Sequence, residues 1–434
     1  MELPYLADEA ASATLGRIGR TEDIQFSPDN RRLAIAGAKA DMILILTVDM
    51  AEVPAGGPVR LADPMLLTCP DFDFPHGLFW LDDSRIVVAN RNGLAPILDI
   101  PAPSKGGSQL DIAARLVIGR EAIDRLVTPG SVTAIRLFDD VHDVLVCNNY
   151  AHTVSRHLVD LGPENRVLSS RILLTRDLDI PDGVAFSADA RWIAASNHSH
   201  HCVHLYRNDP DLHAGKAPDG RLIGQAYPHG VRFAAAGRLL FVADAGAPFV
   251  HVYRSEDGDW SGDREPALAL RVIDQDTFIR GQLNPQEGGP KGIDLTRDQK
   301  ILVASCEHQP VTFHRIDDAI ASLLPAGGAE AASFLPPSDV AGFKALLRRQ
   351  LAETRQDATA LLAALEETRR GLAAQQEAHH ALSQQHHDLS QRHHALAEAH
   401  HALNGAHHAA TRPAGFSGLL ARISQRLRDP KRGL

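Results

Sequence analysis

The sequence predicts an all-β fold, a six-bladed β-propeller, followed by a long α-helical coiled coil, and three observations predict it. The first is the stretch Ile180 to Asp209, IPDGVAFSADARWIAASNHSHHCVHLYRND. It reads as a turn, a short apolar strand (Gly183 to Ser187), a tight Ala-Asp-Ala turn, and two further strands, Trp192 to Ser196 and Cys202 to Tyr206. Alternating apolar residues bounded by Gly, Pro, Asp and Asn are the signal of antiparallel strands. The second is recurrence. Six such units align on the apolar residue near the middle of the first strand, at Phe26, Trp80, Leu137, Phe186, Phe233 and Leu295, with steps of 54, 57, 49, 47 and 62 residues. A period of ~40–50 residues carrying four short strands marks a propeller blade, and these steps lie at or above it. The third is a switch to a seven-residue apolar pattern beyond residue 338.

Each unit supplies its strands in the same order. An acidic or small turn follows the anchor and leads into a second strand, as in SPDNRRLAIAG (Ser27 to Gly37) and TRDQKILVAS (Thr296 to Ser305). Third strands follow at Met42 to Asp49, Thr153 to Asp160 and Phe249 to Ser255. Fourth strands are looser, such as Arg166 to Leu174 and Leu268 to Asp274. The sixth unit runs into Asp317 with no fourth strand in register. Thr14 to Ile18 is therefore expected to close the ring as the outer strand of the last blade, removing the open edge of a linear array. Ala332 to Leu335 is the competing candidate.

The domain plan that follows is a propeller over residues 1–320, a Pro/Gly/Ala linker over 321–338, a coiled coil over 339–411 and a basic amphipathic tail over 412–434. In the coiled coil, Leu347, Leu361, Leu382, Leu389, Leu396 and Leu403 take position d, and Leu351, Leu365 and Leu372 take a. This pattern predicts a homo-oligomer through residues 344–407. Of the 23 histidines, 10 fall between His379 and His408, paired at a and b of literal heptads. Neutral imidazole is tolerable at a and imidazolium is costly, so a stalk that loosens in acid is one reading. Metal bridging between chains is a second, and plain heptad duplication is the third.

A formal net charge of −10 over 434 residues argues against nucleic acid as a partner. The start, MELPYLADEA, has no apolar signal core, and no run of ~18 apolar residues is present. Cys69, Cys147, Cys202 and Cys306 are far apart and lack a C-x-x-C pair, which reads as reduced packing cysteines of a cytoplasmic protein. The tail over 412–434 can lie on an anionic membrane surface, dock on a partner, or be a soluble end.

Chemistry is expected at one mouth of the channel, where first strands begin and second strands end. The residue four before each anchor gives an inner ring of Glu22, His76, Thr133, Asp182, His229 and Lys291, in a Pro-x-Gly turn in four blades. Glu22, Asp182 and His229, with His76 as a fourth, offer ligands for one divalent metal ion. Lys291 can hold an anionic group. The second-strand ends give an outer ring of Gly37, Asn90, Asn148, Asn197, Asp244 and Cys306 with Glu307, joined by Arg91, Asn149, His198, His200, His201 and His308 from the following loops. Asn90, Asn148, Asn197, Asp244, Lys291 and Glu307 are the expected ligand-binding set, although Asn and Asp at strand ends also serve simply as turn formers.

VLVCNNYAHTVSRHLVD (Val144 to Asp160) resembles the strand–Asn–strand unit of YVTN-type propellers, and PDGVAFSADARWIAASN resembles the unit of lactonase-type and gluconolactonase (senescence-marker-protein) propellers. The resemblance spans about residues 15 to 320. It implies a divalent ion held at the mouth by Glu, Asn and Asp from different blades. Glu22 matches the Glu, Asp182 stands where that family has Asn, and His229 stands where it has Asp. Thr133 lies in a blade where a substrate contact is usual. The altered set is softer, nearer zinc or manganese than calcium.

Two functions remain. One is a β-propeller that binds a small molecule or protein at its polar mouth, with the stalk supplying avidity. The alternative is a metal-dependent lactonase or esterase-like hydrolase at the same mouth, its ion polarising a carbonyl and acidifying a bound water. The altered ligand set and the added stalk favour binding.

Overall fold

The computed structural model describes residues 1–120, 126–282 and 286–324, with scattered positions between 370 and 399. The chain divides into two units, Met1–Thr354 and Arg355–Leu434. The coiled coil over 339–411 and the tail over 412–434 lie outside the described residues, apart from isolated helical positions. Among these, Leu382, Leu389 and Leu396 are exposed. No helix among the described residues is long and apolar enough to cross a membrane.

Six antiparallel blades follow one another along the first unit. Blade 1 runs outward through Thr21–Phe26, Arg32–Gly37, Met42–Asp49 and Val59–Thr68. Blade 2 uses Pro75–Asp82, Arg85–Asn90, Ala95–Asp99 and Leu116–Ile118. Blade 3 uses Pro129–Phe138, Val141–Asn148, Thr153–Asp160 and Arg166–Leu174. Blade 4 uses Val184–Phe186, Trp192–Asn197, Cys202–Arg207 and Gly220–Leu222. Blade 5 uses Pro228–Ala234, Leu239–Asp244, Phe249–Arg254 and Leu268–Arg271. Each first strand touches the first strand of the next blade, and the sixth touches the first, so the ring is closed.

Closure comes from the N-terminal segment, but not from Thr14 to Ile18. Blade 6 holds Ile293–Leu295, Ile301–Ala304 and Thr312–Arg315, and its outer strand is Glu2–Leu3, with Glu2 opposite His314 and Leu3 opposite Phe313. Glu9–Leu15 is instead a helix, started by Asp8, whose carboxylate accepts from the Ala11 amide at 2.7 Å. An N-capping Asp before an Ala-rich run is a helix start, and it outweighs any strand pattern there. Ile18 is fully buried beneath blade 1.

The core is divided by interface. One cluster of buried side chains fills each gap between neighbouring blades; Ile24, Phe26 and Leu33 meet Ile301, Val303 and Phe313 between blades 1 and 6. Ile193 and Tyr206 meet Leu145 and Cys147 between blades 3 and 4. Strand residues facing the two sides of a blade both meet apolar neighbours, which accounts for the near-continuous apolar strands. All four cysteines are free and buried.

The Gly of each Pro-x-Gly turn serves a close approach. A Cβ on Gly183 would lie 2.0 Å from the His229 carbonyl oxygen, and one on Gly292 would lie 2.6 Å from the Asp23 Cα. The first strands therefore pack backbone to backbone around the mouth.

Candidate functional site at the channel mouth

Pairing in the ladders fixes which residues form the inner ring. Pro75 is opposite Asn90, Pro129 opposite Asn148, Pro228 opposite Asp244, and Thr21 opposite Gly37. The ring residue follows each of these, giving Glu22, His76, Gly130 and His229, and the matching Pro-x-Gly turns of blades 4 and 6 add Asp182 and Lys291. In blade 3 the ring position is thus Gly130, not Thr133. The anchor Leu137 was three residues too far along, because Ala134 takes the place in the ladder that Trp80 and Phe233 hold in theirs. Thr133 belongs to a second ring deeper in the channel.

The bare Gly130 is used. Its carbonyl lies 2.6 Å from Nδ1 of His76, so that nitrogen carries the proton. Nε2 of His76 then accepts from the Arg91 guanidinium at 2.8 Å. Burial, with the Arg91 charge, pushes His76 down to about 4, and the ring is neutral. A side chain at Gly130 would collide with Asn149 and Asp182. Asn149 donates to Asp182 Oδ1 at 2.7 Å, and His229 Nε2 lies 3.2 Å from Asp182 Oδ2.

A second half of the cluster is built on Lys291. Its ammonium lies 3.1 Å from Glu22 Oε2 and 3.0 Å from Glu287 Oε2. Arg20 pairs with the other oxygen of Glu22, and its Nε is 3.2 Å from Glu307. His198 Nε2 lies 3.2 Å from Glu287. Burial opposes ionisation of Glu22, but Lys291 and Arg20 outweigh it and bring the carboxyl down to about 2. Burial likewise opposes ionisation of Asp182 and Glu287; His229 holds the first low, and His198 with Lys291 holds the second low. His198 and Lys291 are desolvated too, yet their acidic partners raise both.

The expected ligand set divides in two. Lys291 and Glu307 sit in this cluster. Asn90, Asn148, Asn197 and Asp244 are fully buried or nearly so and clamp the connector that leads into their own blade. Asn90 donates to the Asp71 carbonyl, and Asn148 accepts from the Val127 amide. Asn197 accepts from the Asp179 amide and donates to the Asp177 carbonyl. Asp244 accepts from the Ala226 and Tyr227 amides. The residue one further along is the one that reaches the mouth: Arg91, Asn149, His198 and Glu307. His200, His201 and His308 are exposed. Arg20 and Glu287 carried no sequence signal of their own, although Glu287 lies in the connector just before PKG.

One ligand atom each from Glu22, His76 and His229 lie within 4.8 Å of one another, so these residues can hold a metal ion. Asp182, expected in that set, serves instead as the partner of His229 and Asn149. Two of the three donors are already engaged by cations, His76 by Arg91 and Glu22 by Lys291. A metal ion would have to displace both. Arg91 Nη1 and Asn149 Oδ1 are buried with no hydrogen-bond partner, whereas Glu22 Oε2 faces the Lys291 ammonium.

No family model matches the chain, and no curated protein matches it. A solved structure described as that of a functionally unknown protein from Desulfotomaculum acetoxidans DSM 771 is similar, at 10% identity and a TM-score of 0.46, covering 73% of this chain and 87% of that one.

Proposed function

We propose that the protein binds a small uncharged polar molecule at the channel mouth. The observation that carries this reading is the pair of partnerless buried atoms, Arg91 Nη1 and Asn149 Oδ1, drawn from two neighbouring blades. Each buried polar group without a partner costs about 1–3 kcal/mol, and a ligand offering both a donor and an acceptor would satisfy both. The charges of the cluster nearly balance. Glu22, Asp182, Glu287 and Glu307 face Arg20, Arg91, Lys291 and the His198 imidazole, so neither a strong anion nor a strong cation is favoured. Arg20 and Glu287 keep 24% and 18% of their side chains exposed and mark the way in. The chemistry fits a polyhydroxylated molecule or the hydroxylated end of a larger one. Oligomerisation through residues 344–407 would multiply such sites, and the tail over 412–434 would add a membrane-surface or partner contact.

The test is calorimetric titration with a panel of small polyols, sugars and sugar lactones, repeated on Asn149→Leu. Saturable binding lost in the variant supports the reading. No heat from any compound, together with an unchanged or more stable Asn149→Leu protein, ends it.

The second reading is metal-dependent lactone or ester hydrolysis, favoured by the Glu22, His76 and His229 group and by the lactonase-type resemblance. A bound divalent ion would polarise the carbonyl and acidify a water, while Lys291 and Arg91 would have to move aside. Metal analysis of the purified protein, with Glu22→Gln and His229→Ala alongside, separates the two readings.

A further inference from the structure

The other end of the channel carries a cavity that the mouth does not use. It has a volume of about 790 Å³, within the range of small-molecule pockets. Its floor is the second ring, three residues beyond the first along each inner strand: Gln25, Phe79, Thr133, Ala185, Arg232 and Asp294. Its wall is apolar and only partly covered, with Leu81, Leu137, Phe233 and Leu295 half-buried around it.

The floor is electrically unbalanced. Arg232 is shared between two carboxylates, with Nε 3.2 Å from Asp294 Oδ1 and Nη2 3.5 Å from Asp23 Oδ1. One guanidinium against two carboxylates leaves one negative charge. At the rim, Asp82 is paired with Arg85 at 2.7 Å, which leaves Asp83 and Asp139 facing Arg136 and Arg297. Two phenyl rings, Phe79 and Phe233, add faces that attract a cation.

The geometry points to a second binding site in this cavity, for an organic cation whose aromatic or alicyclic body fills the apolar wall and whose ammonium meets Asp294. This site is separate from the mouth and independent of its ligand. Burial, with the nearby Asp23 charge, raises Asp294 to about 6 although Arg232 opposes it. A ligand ammonium would supply a second counter-charge to the pair of carboxylates that share Arg232.

The test uses three probes with one indole body: tryptamine (cation), tryptophol (alcohol) and indole-3-acetate (anion). Each is titrated calorimetrically into the full chain near neutral pH. Tryptamine is expected to bind about tenfold or more tighter than tryptophol, with indole-3-acetate weakest. Asp294→Asn should bring tryptamine down to the tryptophol level. Ala185→Phe, which fills the cavity without touching the mouth, should abolish binding of all three, and it serves if Asp294→Asn does not fold. No saturable tryptamine binding at millimolar concentration overturns the site, as does equal binding of the anion or unchanged binding by Ala185→Phe. None of these results bears on polyol binding at the mouth, so the two proposals fail separately.

Discussion

The Arg91 guanidinium donates to Nε2 of His76 across 2.8 Å, and so occupies the lone pair through which this histidine would bind a metal. Arg91→Ala frees that lone pair and removes a charge that lowers the His76 pKa. Zinc affinity is expected to rise by about tenfold or more, and His76 to titrate above its present value of about 4. Calorimetry with zinc and imidazole proton shifts in NMR read both. An unchanged zinc affinity would mean that Arg91 does not guard the histidine.

Glu22 ties the mouth to acid stability. Its folded pKa is about 2 against the ordinary 4.5, so its contribution is present above the ordinary value and is lost as pH falls through the folded one. The contribution is on the order of 3 kcal/mol. Glu22→Gln should be less stable by about that amount near neutral pH, and its stability should fall less steeply than wild type as the solution is acidified. Urea melts across the acid range test this, and parallel pH profiles for the two proteins would contradict it.

Gly183 predicts a steric limit. A Cβ there would lie 2.0 Å from the His229 carbonyl oxygen and 2.9 Å from its carbon, a backbone group that cannot swing aside as a side chain can. Gly183→Ala should cost several kcal/mol, about 2–4, by prising blades 4 and 5 apart. Gly215→Ala is the control, since its Cβ would meet nothing nearer than 3.7 Å. Equal melting temperatures for the two variants would refute the close-approach argument.

Asp244 is expected to matter as a clamp. Its carboxylate accepts from the amides of Ala226 and Tyr227 at 2.8 Å and of Gly246 at 3.0 Å, and His251 donates to it at 3.2 Å. Asp244→Ala leaves these donors unpaired and should lose at least about 2 kcal/mol, with Asp244→Asn intermediate. Amide exchange at Ala226 and Tyr227 should quicken in both. Unaltered exchange at these two amides would show that the connector holds itself.

The blades were legible because each repeats the same local grammar of turn, apolar strand and Asp or Asn boundary. The inner ring was legible in five blades for the same reason, since a fixed offset from an apolar anchor follows a fixed strand length. It failed at Thr133 because blade 3 has two extended strands, Pro129–Phe138 and Val141–Asn148, and its most prominent apolar residue is not its ladder equivalent. The Pro129-Gly130 pair, aligned with the other prolines, carried the right register. The outer ring was displaced by one residue: the Asn and Asp that end second strands face the connector, and their successors face the channel. Contacts such as Lys291 to Glu22 or His198 to Glu287 depend on where side chains meet across blades, and no periodicity encodes that.

The pairing of Leu3 with Phe313 also sets an order of events during synthesis. At about 5–20 residues per second, roughly 15–60 s separate the making of these two partners. Throughout that interval, blades 1 to 5 can pack in succession on the chain already made, while the strand Glu2–Leu3 has no blade 6 to join. The strand Glu2–Leu3 is therefore made long before it can find its place, and the nascent chain must keep a short, partly apolar segment unpaired until blade 6 arrives.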